Sequence, residues 1–318
     1  MFVYVIYLFL SPIVILLIIL LSIFNSKIRK NFISGFITRS KAKKYIKQNS
    51  SNKDIIIMHA ASSGEFEQLK PILRKIDKNK YFIVQTFLSP TIYENECENS
   101  LFDISCYHPL DFPWSAFLFL NSFNPKIYLT TRHDTWPHHL VIAKLLGIRC
   151  YLINANLYYN SKRFKPIIKS LNKFIFNKFD KILTGSNQLK STFLEMVPDA
   201  KIIITGDSRF DQIYHRVNNQ KDNSYLDLFN NKSKYIILGS IDSADLPIIK
   251  NAMDNFRNCK YIIVPHEVDT ASIKEIELAL NDINMNYMHL SKSKNQDIIN
   301  YDCIIIDSVG ILLELYKY

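Results

Sequence analysis

From Phe2 to Phe24 the chain is built of Ile, Leu, Val and Phe, broken only by Tyr4, Tyr7, Ser11, Pro12 and Ser22, and residues 1–24 carry no charge. About 20 apolar residues cross a bilayer as a helix, so this run predicts a membrane-spanning anchor. A cleaved secretory signal is the competing reading. Against it, no positive charge precedes the run, the run is too long, and no small-x-small site closes it. Beyond Asp54 the pattern changes to short, β-rich apolar runs: Ile55–His59, Tyr81–Phe87, Lys126–Thr130, Cys150–Asn154, Lys181–Thr184 and Lys201–Thr205. Segments such as Trp136–Leu146 and Phe164–Phe179 lie between them with apolar positions at helical spacing. That alternation predicts a mostly parallel sheet with helices on both faces.

The pattern breaks over residues 217–233, where polar tracts read as a linker, and restarts at Tyr235–Leu238, Tyr261–Val264, Tyr287–Leu290 and Cys303–Ile306. The expected organisation is an anchor at 1–24, a basic juxtamembrane segment at 25–50, a first wound domain at 51–216, the linker, and a second wound domain at 234–318. Ligands of such sheets bind beyond the C-terminal strand ends. Those ends are rich in polar, glycine and proline residues here, as at Gly64-Glu65, Arg132–Pro137, Gly206–Asp211, Gly239-Ser240 and Pro265-His266-Glu267.

Charge refines the picture. Lys27, Arg29, Lys30, Arg39, Lys41, Lys43, Lys44 and Lys47 all precede the first acid, Asp54, and account for eight of the ten net positive charges. Basic residues flanking one side of a membrane helix mark the cytoplasmic side, so the body is expected in the cytoplasm with the short N-terminus outside. A basic segment beside a membrane fits anionic lipid head groups, which leaves nucleic acid a minor reading and excludes it as the expected partner. Five scattered cysteines (97, 106, 150, 259 and 303) show no paired metal spacing and fit a reducing compartment.

The candidate chemistry starts at His59-Ala60-Ala61-Ser62-Ser63-Gly64-Glu65, an apolar run ending in small residues before Phe66, Leu69, Ile72, Leu73 and Ile76 at helical spacing. This reads as strand, tight turn, helix. Small residues let a ligand approach the backbone, and the helix start offers free N–H groups. Glu65 on that turn is either a base or an acid that complements the helix dipole.

Further stretches point to a family. They are Ser89-Pro90-Thr91, His108-Pro109-Leu110-Asp111-Phe112-Pro113, Trp136-Pro137, Leu152–Leu157 and Thr205-Gly206-Asp207-Ser208-Arg209-Phe210-Asp211. In order with His59–Glu65, they resemble the motifs of the 3-deoxy-D-manno-octulosonic acid (Kdo) transferases, membrane-anchored glycosyltransferases of lipopolysaccharide synthesis. The resemblance runs from the anchor to the last residue. It implies an α/β fold of the GT-B type, two Rossmann-like doubly wound domains facing a cleft, preceded by one transmembrane helix. It also implies transfer of Kdo from CMP-Kdo to a lipid A precursor at the bacterial inner membrane, without cofactor or metal.

By the same resemblance Glu65 is the catalytic base of an inverting reaction, and Arg209 faces the departing phosphate, which a guanidinium can bind in pairs. Asp134 stands where the family usually carries Glu, two residues before Trp136. Gly239-Ser240, His266-Glu267 and Val309-Gly310-Ile311 match the family's nucleotide-side turns. The family continues past the point matched by Tyr318 with a glycine-rich loop and an Asn-x-x-Glu motif, so the second domain is expected to be incomplete. Two rival readings are a membrane-tethered homologue without transferase activity and a GT-B enzyme using another sugar nucleotide.

Overall fold

The computed structural model describes residues 2–218, 229, 235–293 and 298–315. It separates into two compact units, Met1–Gln212 and Ile213–Tyr318. Of the expected linker, all but 217, 218 and 229 lies outside the described residues.

The first unit opens with α1 (Phe2–Phe24) and α2 (Ser26–Asn49). Pro12 cannot donate to the carbonyl of Leu8, four residues back, and the hydroxyl of Ser11 donates to it instead at 2.7 Å. The outward face of α1 is apolar, with Phe9, Leu16, Ile23 and Phe24 exposed. An anchor standing alone would carry its start away from the body. The first turns of α1 instead lie against it: Tyr7 Oη donates to Asp111 Oδ2 at 3.2 Å, and Tyr4 Oη lies 2.8 Å from His138 Nδ1. Hydroxyls in an apolar helix need partners, and the body supplies them.

Next come β1 (Asp54–Ala60), α3 (Ser63–Leu73), β2 (Tyr81–Phe87), α4 (Pro90–Glu96), β3 (Ile104–Tyr107), α5 (Pro113–Phe123), β4 (Ile127–Thr131) and α6 (Pro137–Leu145). The unit continues through β5 (Arg149–Ala155), α7 (Pro166–Phe176), β6 (Lys181–Thr184), α8 (Asn187–Met196) and β7 (Ile202–Ile204) into α9 (Ser208–Asn218). The strands form one parallel sheet in the order β3-β2-β1-β4-β5-β6-β7. Alternate side chains of β1 face opposite ways, as strand geometry requires. Ile57 packs with Ala42, Leu120, Tyr128 and Leu140 on one side, whereas Ile56 and Met58 pack with Phe66, Leu69 and Leu73 on the other.

β3 has no counterpart among the expected strands, because Ile104-Ser105-Cys106-Tyr107 is short and partly polar. It is an edge strand, and α2 covers it. Thr38 Oγ1 accepts from Tyr107 N at 3.3 Å, and Arg39 Nη1 donates to Tyr107 O at 3.4 Å. An open edge is a template for unwanted pairing, so this cover gives the basic segment a structural task.

In the second unit, β8 (Tyr235–Ile241), α10 (Leu246–Asn255), β9 (Lys260–Pro265), α11 (Thr270–Asp282), β10 (Tyr287–His289) and β11 (Cys303–Ile305) form a parallel sheet in the order β10-β11-β9-β8. Cys303, buried in that sheet, shares its core with Ile263, Ile276 and Leu280.

Candidate active site

β1 and β4 are neighbours, yet the chain winds from β1 toward β2 on one side and from β4 toward β5 on the other. Connections diverge at such a switch point and leave a crevice at the C-terminal strand ends. The turn after β1 carries Glu65 and the turn after β4 carries Asp134.

Glu65 is held by the helix it helps to start. Ser62 caps α3, its hydroxyl accepting from Glu65 N, while Glu65 Oε2 accepts from Ala61 N at 2.6 Å and Ser62 N at 3.2 Å. This reciprocal capping box fixes the carboxylate without using Oε1. The residue is 7% exposed. Burial pushes its pKa up, and the negative charge of Asp134 adds to that, against the two N–H bonds and His59. The side chain thus complements the start of α3 through Oε2 and keeps Oε1 out of the capping contacts.

Asp134 Oδ2 lies 3.1 Å from His59 Nε2, but the groups are not aligned as a hydrogen bond and neither atom has another such partner. The nearby Nε atoms of Arg132 and Trp136 are also buried without one. Unpaired buried polar atoms are costly, and a polar ligand would satisfy them. Arg132 (φ +59°) and Asn154 (φ +47°) hold left-handed backbone at the ends of β4 and β5. Strained non-glycine residues of this kind gather at functional sites.

Behind the carboxylates is a row of buried histidines whose rings are tilted by 41° and 43° to one another. His59 Nδ1 pairs with Thr86 Oγ1 at 2.9 Å, and its ring lies 4.1 Å from that of His108, which lies 4.4 Å from that of His139. Burial first, then His59 and His139, hold the pKa of His108 well below the usual histidine value, so it is neutral. Its Nε2 pairs with Tyr128 Oη at 2.9 Å. Asp111 anchors the far end. It accepts from the backbone N of His138 and His139 at the start of α6 and pairs with His139 Nδ1 at 2.8 Å. Burial alone would push the Asp111 carboxyl up; the bonds and charges of His139 and His138 outweigh it and hold it below the ordinary value. Ionised Asp111 thus caps a helix that lacks a capping side chain of its own.

Arg209 has a different setting. Its guanidinium is bound by Asp207 Oδ2 through Nε at 2.8 Å and Nη2 at 2.6 Å and is half-exposed. The preceding Ser208 ties the start of α9 to the switch point. Its hydroxyl donates to Gln68 O at 2.6 Å, and its N donates to Asn154 Oδ1 at 3.1 Å. In the second unit the structure joins Ser240 and His266, Oγ to Nδ1, at 2.8 Å across the ends of β8 and β9, with Ser240 at φ +62°. Glu267 lines a cavity of about 180 Å³ with His266. Val309 is exposed, Gly310 takes φ +97°, and Ile311 packs on the core of the unit. Gly239 sits in the β8–β9 ladder opposite Val264.

Sequence reasoning missed His139 and Arg163. Arg163 donates to His133 O at 2.7 Å and to Asn172 Oδ1 at 2.8 Å, bracing the loop that carries Asp134. No local motif marks Arg163, whereas the adjacent histidines directly after Trp136-Pro137 could have drawn notice. Among the described residues, no group of three His, Cys, Asp or Glu is placed to hold a metal ion.

Comparison with known proteins agrees with this geometry. Solved structures sharing the fold include UDP-GlcNAc 2-epimerase from Neisseria meningitidis (TM-score 0.58, 15% identity, 82% of this chain and 74% of that one). The Methanocaldococcus jannaschii UDP-GlcNAc 2-epimerase is similar at TM-score 0.54 and 16% identity, over 83% of this chain and 76% of that one. At such identity they speak for the fold alone, a GT-B-like parallel α/β architecture. The 3-deoxy-D-manno-octulosonic acid transferases of Chlamydia muridarum and Chlamydophila psittaci are 25% and 28% identical, over 83% and 81% of this chain. The Aquifex aeolicus transferase is 26% identical over 83%. The chain spans 62%, 60% and 67% of those three relatives. The profile described as 3-deoxy-D-manno-octulosonic-acid transferase (kdotransferase) matches residues 35–212, which hold Glu65, Asp134 and Arg209. By that match over more than half its length, the chain belongs to the Kdo transferase family.

Proposed function

We propose that the protein transfers Kdo from CMP-Kdo to a lipid A precursor, with inversion, in lipopolysaccharide synthesis. The observation that carries this reading is Glu65, a buried carboxylate with raised pKa, fixed at the switch point of a family-matched domain. A general base works best with its pKa near the operating pH, and burial moves Glu65 in that direction. In the reaction an acceptor hydroxyl attacks the anomeric carbon of the donor and gives its proton to Glu65 Oε1. The bond from that carbon to the CMP phosphate breaks on the opposite face, and its electron pair leaves with CMP. The transition state would resemble the oxocarbenium ion of glycoside hydrolysis.

Asp134 would sustain the basicity of Glu65 and stabilise positive charge on the sugar. Arg209 would offer its remaining Nη1 to the phosphate while Asp207 holds the other two nitrogens. Ser240, His266 and Glu267 would contact the nucleotide end, with Gly239 and the turn 309–311 shaping the approach. No metal or cofactor enters this scheme. α1 would tether the body to the cytoplasmic face of the bacterial inner membrane, and the basic residues of 27–47 would face its anionic lipids.

The test is Kdo transfer by membranes containing the full chain, supplied with CMP-Kdo and a lipid A precursor, beside Glu65→Gln. Product formed by the wild type and lost in the variant supports the reading. A folded, membrane-bound chain that binds either substrate but yields no product supports the tethered, inactive homologue instead.

A further inference from the structure

Away from Glu65 and Asp134, two adjoining cavities of about 250 and 670 Å³ share Phe36, Arg39, Pro109, Trp114 and Ser115. They form a cleft between α2 and α5 that reaches Ile15 of α1 at one end and Leu118 at the other. Phe36, Trp114 and Leu118 are exposed, so the cleft continues the apolar outward face of α1. Scattered exposed apolar residues need no explanation, but a contiguous patch marks an interaction surface.

The cation in the cleft is the informative group. The pKa of Arg39 is pulled down by burial. Its described partner is the Tyr107 carbonyl, at a long 3.4 Å through Nη1, and among the described residues it makes no ion pair. A guanidinium removed from water without an anion is unfavourable, and a bound anion reverses that. The helix makes room for it: a Cβ at the buried Gly35 would come within 2.7 Å of Arg39 Nη1. Lys43, one turn further along α2, lines the same cleft. Two neighbouring cations, Arg39 and Lys43, among apolar walls match a phosphate joined to an acyl chain better than a free anion, which gains nothing from Phe36 and Trp114. It also suits a lipid better than a protein segment, because the cleft opens onto the surface that α1 offers to the bilayer.

We propose that this cleft binds one anionic phospholipid of the surrounding bilayer, its phosphate on Arg39 and Lys43 and an acyl chain along Phe36, Trp114 and Leu118. The proposal rests on the membrane-tether reading and is independent of Kdo transfer.

The experiment uses the full chain with phosphatidylglycerol vesicles containing a trace of phosphatidylglycerol whose acyl chain carries a photoreactive group. Vesicle flotation reports the tether, and mass spectrometry of labelled peptides reports the cleft. The expected result is flotation with label on the α2 and α5 peptides, falling about tenfold in Arg39→Gln, a change set by the loss of one charge-assisted contact. Gly35→Val, which displaces the guanidinium but keeps it, should lower the label as well, with circular dichroism unchanged and flotation retained in both. Excess phosphatidylglycerol should compete and phosphatidylcholine should compete poorly.

No flotation of the wild type would sink the tether reading itself. Flotation with label confined to α1, or label unchanged in Arg39→Gln, would overturn the cleft alone. Displacement by inorganic phosphate would make the site one for free anions, and preferential displacement by a lipid A precursor would assign it to the acceptor; either overturns the bilayer-lipid assignment.

Discussion

The strand ends of the two units are built differently. In the first, Glu65 is 7% exposed, Asp134 sits against buried His59, and three histidine rings lie in a row behind them. In the second, Val309 is 85% exposed, and Ser240 meets His266 in one exposed hydrogen bond. Groups that move protons or stabilise transition-state charge need fixed positions and a dry setting. Groups that grip a nucleotide can stay exposed until it binds. Under the proposed function, chemistry would fall to the first unit and nucleotide recognition to the second.

The sharpest way to break that contrast is Glu65→Gln, which keeps the shape of the capping box and removes the base. Under the proposed mechanism kcat should fall by about a thousandfold with little change in donor KM, measured in the transfer assay. A fall below tenfold would remove Glu65 from the chemistry. Asp134→Asn comes next, with a loss of about tenfold to a hundredfold. It also has a sign. In the proposed mechanism Glu65 acts deprotonated, so the rate should fall as pH drops through its raised pKa. Deleting the neighbouring negative charge lowers that pKa, so the acid limb of kcat should move to lower pH; a limb that stays put would uncouple the two carboxylates.

Asp111→Asn tests the support behind the row of histidines. It leaves His139 and two N–H groups at the start of α6 without their carboxylate, and should lower stability by about 1–3 kcal/mol, read by denaturant unfolding. The smallest effect belongs to the exposed edge. Ser240→Gly relieves left-handed backbone but adds freedom to the unfolded chain, so stability should change by less than about 1 kcal/mol. Loss of the hydroxyl should raise donor KM about fivefold with kcat nearly unchanged. If Ser240→Gly lowered kcat as much as Glu65→Gln, the division between the two edges would fail.

Not every element was equally readable. The long runs Ile55–His59, Tyr81–Phe87 and Cys150–Asn154 are apolar enough that parallel strands follow from composition, and each is a strand here. β3 escaped because four residues including a serine carry little periodic signal. α2 read as a collar of charge, since its lysines hide Gly35, Ala42 and Ile46, which turn inward. His108 stood inside a recognised motif, but its contact with His59 joins positions 49 residues apart in sequence, on different strand ends. Arg163 acts on a loop about 30 residues away and leaves no local trace.

The sequence alone determined what depends on local order: the apolar first helix, the wound α/β alternation, and the capping turn that places a carboxylate at a helix start. Tertiary structure decided what depends on which strand ends meet. It set Glu65 beside Asp134, lined up the histidines, gave Asp111 the task of capping α6, bound Arg209 to Asp207 and left Arg39 half-buried with no ion pair among the described residues. Hydrophobic periodicity is written residue by residue along the chain, whereas desolvation and charge coupling arise only when distant residues share one low-dielectric space.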